Sequence, residues 1–100
     1  MSEDAFTLQM AALRARFTAR VTADRAMLAC LHPPFDPATR DLVRAVAHRL
    51  AGSAGTFGYP GAGAAALRLE DACESGDDGE IGRTLDDTLA ALAAIVQPPD

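Results

Sequence analysis

The chain has no Trp, no Lys and only five aromatic residues among 100. It therefore has few large rings with which to build a core, and every basic side chain is an arginine. Two cysteines, Cys30 and Cys73, form neither a disulfide framework nor a CxxC pair. They are expected to be reduced, semi-buried small hydrophobes, as suits a cytoplasmic protein. No apolar run approaches the roughly 18–20 residues of a membrane span, which argues against a membrane partner. The acidic start, Met1-Ser2-Glu3-Asp4, leads into no apolar segment, so no signal peptide is expected. A net charge of −5 argues against nucleic acid as a partner, because phosphates repel an acidic surface.

What is present is alanine, 22 residues of it, within a chain that is 49% apolar and 23% charged. That balance is globular, the length is one domain's worth, and the alanine content favours closely packed helices. Four helical stretches are predicted. The first runs from about Asp4 to Leu31 with Phe6, Met10, Leu13 and Phe17 on one face. Val21, Leu28 and Leu31 continue that face less regularly, and Val21-Thr22 is a candidate bend. Ser2 or Asp4 can cap its start, and His32-Pro33-Pro34 ends it. The second opens at Asp36-Pro37, an N-cap followed by a first-turn proline, and runs to about Phe57, with Gly58 suited to the left-handed position beyond the helix end. The third starts near Pro60, buries Ala62, Ala65, Ala66, Leu69, Ala72 and Cys73, and closes at Gly76. The fourth opens on Asp77 and Glu80, spaced as a capping box, carries Ile81, Leu85, Leu89, Leu92 and Val96 on one stripe, and ends at Pro98-Pro99. No strand pattern competes. Short connections imply an all-α, up-down-up-down antiparallel four-helix bundle.

The second helix carries the informative pattern. On a wheel with His48 at zero, Leu42, Val43, Val46, Leu50, Ser53, Ala54 and Phe57 fall between about 120° and 240°. This is the core face, and it leaves His48 exposed. Arg44 lies one turn before His48 and Gly52 one turn after, with Gly55 further along and Asp41 on the same side. Glycine inside a helix costs about 1 kcal/mol relative to alanine, a residue this chain uses freely. Absent side chains beside an exposed histidine leave its ring clear and let another surface approach. From the wheel alone, a merely solvated histidine, or glycines serving helix packing or a kink, would fit as well.

The longer string Ala47-His48-Arg49-Leu50-Ala51-Gly52-Ser53-Ala54-Gly55-Thr56-Phe57-Gly58 closely resembles the signature of the histidine phosphotransfer (HPt) domain family: His-x-Leu-x-Gly, small residues, then an apolar residue and Gly. The segment Ala64-Ala65-Ala66-Leu67-Arg68-Leu69-Glu70-Asp71-Ala72 is similar to that family's third helix, where a Leu-Glu pair precedes Ala. The resemblance implies a single HPt-like domain over residues 1–100 and a phosphoryl carrier in which His48 is the acceptor and donor. Imidazole titrates near about pH 6.5 when unperturbed, which leaves a neutral, nucleophilic form in the cytoplasm. The implied partners are response regulator receiver domains, with a hybrid histidine kinase as a further one. The receiver would bring the acidic pocket and Mg²⁺, and the chain would need no cofactor or metal of its own. Autokinase activity is not expected, since there is no P-loop-type glycine-rich segment, and the lack of an acidic residue directly after the histidine tells against a kinase dimerisation fragment. Many family members carry Lys three residues after the histidine, where this chain has Ala51. A phosphoryl-steadying cation would then come from Arg44, which the wheel favours, from Arg49, or from Arg68 on the third helix. Ala51, Gly52, Gly55 and Arg68 complete the expected binding surface.

Other residues carry plainer expectations. His32 is read as a solvated or capping residue, and Cys30, His32, Cys73 and His48 lack a zinc-site spacing. Glu70, Asp71 and Glu74 are read as a solvated helix face, and Tyr59 as packing at the helix turn. Two alternatives stand beside the carrier. One is a non-phosphorylated HPt-like interaction module that regulates a receiver or kinase by binding. The other is a structural bundle that self-associates; a carrier is expected to be a monomer. The alanine and arginine bias hints at a GC-rich bacterial genome.

Overall fold

The computed structural model describes residues 3–96. Four helices follow in order: α1 (Glu3–Ala29), α2 (Pro37–Thr56), α3 (Pro60–Ser75) and α4 (Asp78–Val96). Among the described residues there is no strand. The candidate cap Ser2 and the terminating Pro98-Pro99 lie outside the described residues.

Local chemistry sets the boundaries. The Asp36 carboxylate accepts the Thr39 amide at 2.8 Å, and Pro37 occupies the first turn of α2. That hydrogen bond holds the Asp36 carboxyl below the usual carboxylate range. At the other end of α2, Gly58 has φ +91°, which a side chain would strain. The Gly58 amide donates to Gly55 O at 3.2 Å, and the Tyr59 amide donates to Ala54 O at 2.8 Å. These are the two bonds of a Schellman turn, and they reverse the chain directly into α3. Asp77 caps α4, accepting the Glu80 amide at 2.9 Å. α1 is one helix throughout, without a break at Val21-Thr22.

Each helix packs on its neighbours around the ring α1–α2–α3–α4–α1. Partners across the α1–α2 and α2–α3 seams run in opposite directions: Phe17 stacks on Phe57 while Asp24 meets Arg49. His48 meets Glu70 while the backbone at Ala51 and Gly55 meets Gly63. This is the expected antiparallel bundle. Val21, Leu28, Val43, Leu50, Ala66, Leu69, Ile81 and Leu92 fill its core. Gly63 is buried, and a Cβ there would sit 3.3 Å from Ala51 O and 3.5 Å from the Gly55 amide nitrogen. Its missing side chain lets α2 and α3 approach closely.

Three expectations about burial need correction. Leu42, placed on the core face, is 48% exposed. It lies at the edge of that arc, and antiparallel pairing sets it level with Leu31, beyond the last residue of α1. Phe6 and Leu13 share a face with Phe17 but are 57% and 44% exposed, because the other helices end before reaching them. Cys30 is exposed rather than semi-buried, while Cys73 is buried and its thiol is pushed up chiefly by that burial. Tyr59 packs as expected, stacking on Phe17 at 6.1 Å between ring centroids.

Candidate functional site

His48 lies in the middle of α2 with its side chain 76% exposed. Val43, Val46, Ala47 and Leu50 are buried on the same helix, so the packing that buries them turns the imidazole to solvent. The ring is nonetheless held. Its Nδ1 lies 2.8 Å from Glu70 Oε2 on α3. A carboxylate only accepts hydrogen bonds, so this contact selects the tautomer with the proton on Nδ1, which in the neutral ring leaves the lone pair on Nε2. Glu70 is itself 14% exposed, which shelters the bond from water on one side.

Glu70 therefore differs from its sequence-based expectation. It is not part of a solvated face; Asp71 and Glu74 are exposed, but Glu70 is turned inward onto His48. A signal for this lay in the chain: His48 and Glu70 are equally far in sequence from Tyr59. A tight helical hairpin brings such residues to the same height.

Beside the imidazole runs a shallow groove between α2 and α3. His48, Ala51, Gly52 and Gly55 line one wall, and Pro60, Gly63, Ala64, Leu67 and Glu70 the other. A Cβ added at Gly52 or Gly55 would meet nothing within 4 Å. Neither glycine is needed for packing inside the molecule, and each keeps the groove open. The packing role belongs to Gly63, which composition alone did not single out. Leu67, exposed beside the histidine, adds an apolar contact that the sequence reading also missed.

The three candidate arginines part company. Arg49 is turned away to α1, where its guanidinium meets both carboxylate oxygens of Asp24 at 2.8 and 2.9 Å. It ties two helices together and is not directed at the His48 groove. Arg68 is exposed on α3 and does not line the groove. Arg44, which like Arg68 does not line the groove, is half-buried one turn before His48 and, among the described residues, has no hydrogen-bond or ion-pair partner. Its charge, with that of Arg40, opposes the upward push on the Cys73 thiol of α3. Asp41 and His32 are exposed. No described helix is long and apolar enough to cross a membrane.

The bundle thus displays one oriented imidazole on an open surface. The family model of the Hpt domain matches residues 6–96, and the chain belongs to that family. Hpt domains are phosphocarriers of phosphorelays and interact with response regulator receiver domains and kinases. No curated protein and no solved structure gives a significant match.

Proposed function

We propose that the protein is a cytoplasmic carrier of a bacterial multistep phosphorelay, shuttling a phosphoryl group between receiver-domain aspartates through His48. The Nε2 lone pair attacks the phosphorus of an aspartyl phosphate. The N–P bond forms as the O–P bond breaks, and the carboxylate of the receiver leaves. Nδ1 keeps its proton throughout. The Glu70 carboxylate faces that proton and stabilises the positive charge that the ring acquires on phosphorylation. The reverse sequence delivers the group to a second receiver. Transfer of this kind depends on positioning and charge neutralisation, so an exposed, oriented imidazole on a rigid helix suffices on this side. Mg²⁺ and the acidic pocket belong to the receiver.

Arg44 is the cation assigned to the phosphoryl oxygens in place of the lysine that Ala51 replaces. Gly52 and Gly55, with Ala51, Ala64 and Leu67, form the surface on which the receiver docks. The observation that carries this reading is the 2.8 Å Nδ1–Glu70 hydrogen bond on a ring that is otherwise open to solvent. Mixing the protein with a phosphorylated receiver tests it. Acid-labile, base-stable label is expected on the parent protein and none on His48→Gln. Equal labelling of His48→Gln would refute the assignment. A His48→Ala protein that still regulates its partner in full would point to occupancy, not phosphotransfer.

A further inference from the structure

A line of three charge pairs follows α2 down its seam with the returning chain. Arg40 and Asp78, Arg44 and Glu74, and His48 and Glu70 are each equally far in sequence from Tyr59. The helical hairpin therefore brings the members of each pair to one height, as it does Gly55 and Gly63. Successive pairs are about one turn apart, or about 6 Å along the helix. In each, the basic member is on α2 and the carboxylate belongs to the returning chain. The outer pairs are made. Arg40 Nη2 lies 3.5 Å from Asp78 Oδ1 and donates to Gly76 O at 2.9 Å, and His48 Nδ1 lies 2.8 Å from Glu70 Oε2. The middle pair is open: among the described residues, neither Arg44 nor Glu74 has a hydrogen-bond or ion-pair partner.

Both members of the open pair are turned to the seam. Around α2, Arg44 lies about 40° from His48 on the side of Ala51, which lines the groove toward α3. Around α3, Glu74 lies about 40° from Glu70, between Glu70 and Leu67 of the opposite wall. The Cys73 thiol, pushed up chiefly by burial, also feels Arg40 and Arg44 in one direction and Glu70 and Glu74 in the other. All four ionised side chains are thus within electrostatic reach of one thiol.

Arg44 consequently stands between two anionic positions. One is the Glu74 carboxylate at its own height. The other is one turn away, where phosphorylation of His48 would place a strongly negative group. A guanidinium cannot serve both in full. Ion pairs at the surface contribute about 0–1 kcal/mol, so Glu74 does not lock Arg44 away as the bidentate Asp24 contact locks Arg49. Resting on the reading that His48 carries the phosphoryl group and Arg44 steadies it, we propose that Glu74 is a positioning residue of the relay. It competes with the phosphoryl group for the Arg44 guanidinium and so limits the stability of the phosphorylated carrier. A carrier that must also give the group away needs such a counterweight, since a phosphoryl group held too well would not be passed on.

The equilibrium distribution of label between the protein and one receiver, approached from both directions, tests the proposal. Glu74→Gln should shift it toward the phosphorylated carrier by about threefold, the size expected for an exposed charge pair. Glu74→Asp keeps the charge and should stay near the parent, while Arg44→Ala should shift the distribution toward the receiver. In the Arg44→Ala background the effect of Glu74→Gln should vanish, because no guanidinium remains to be released. Glu74 is exposed, so thermal melts should not move. A Glu74→Gln shift of equal size with and without Arg44 would mean direct repulsion of the phosphoryl group and would overturn the proposal. So would no shift, or a shift toward the receiver. Two outcomes reach deeper, and the proposal falls with either: absence of label on His48 refutes the carrier reading, and an Arg44→Ala distribution equal to the parent's refutes the Arg44 assignment.

Discussion

Replacing Gly52 and Gly55 with alanine should make the protein more stable and a poorer phosphocarrier. Each glycine lies inside α2, and a Cβ at either position would meet nothing within 4 Å. No strain offsets the gain in helix propensity, which is about 0.5–1 kcal/mol per site. The double variant should gain about 1–2 kcal/mol, and in a domain of this size each kcal/mol raises Tm by about 4–8 °C. The same two methyl groups would stand in the groove beside His48, where a receiver must approach. Second-order transfer from a phosphorylated receiver should fall by about tenfold, equivalent to about 1.4 kcal/mol of lost docking. Gly63→Ala supplies the contrast. Its Cβ would sit 3.3 Å from a backbone oxygen of α2 that cannot easily move. Overpacking there should outweigh the propensity gain and leave a net loss of about 1 kcal/mol. Thermal melts followed by circular dichroism, with transfer kinetics on the same samples, read both effects. Gly52→Ala and Gly55→Ala that melt higher and transfer at the parent rate would refute the claim that these glycines keep the docking surface clear.

Further predictions concern the charged groups. Arg44→Ala should slow transfer without loss of stability, and Ala51→Lys in that background should restore part of the rate. Arg49→Ala should instead lower stability, by about 1 kcal/mol once the exposure of the guanidinium is allowed for, and leave the rate nearly unchanged; the reverse pattern in stopped-flow and melting data would reassign the cation. Glu70→Ala should slow transfer more than Glu70→Gln, whose amide oxygen can still accept from Nδ1, and equal rates for the two would remove the orienting role. The Asp36 carboxyl titrates lower in the folded protein than in the unfolded chain. Its contribution is therefore present above the ordinary carboxylate range and lost as pH falls through the lowered value. Asp36→Asn keeps the cap and should flatten that acid limb of the stability profile. In thiol labelling at mildly alkaline pH, Cys30 should react at once and Cys73 only as the bundle opens.

The features legible in the sequence are those settled within a few residues. The Asp36-Pro37 start, the Gly58 reversal and the Asp77 cap each act through hydrogen bonds to near neighbours. The exposure of His48 was legible too, because it follows from which residues of its own helix are buried. What could not be read depends on other helices. Glu70 looks like any acidic residue of a solvated face until α3 is folded back beside α2. Arg49 looks like a candidate phosphate ligand until Asp24 of α1 is placed opposite. Leu42, Phe6 and Leu13 have apolar spacing that is correct for a core, but burial also needs a neighbour long enough to cover them. Gly63 was passed over for the same reason. Its value lies in the backbone atoms of another helix.

The proposed relay rests on the His48 imidazole, held at Nδ1 by Glu70, receiving the phosphoryl group at Nε2. The most direct test is long-range ¹H–¹⁵N correlation on histidine-labelled protein before and after incubation with a phosphorylated receiver. A protonated Nδ1 is expected in the free protein and a phosphorus-coupled Nε2 afterwards, confined to His48. Phosphorylation at Nδ1, or at any other residue, would contradict it.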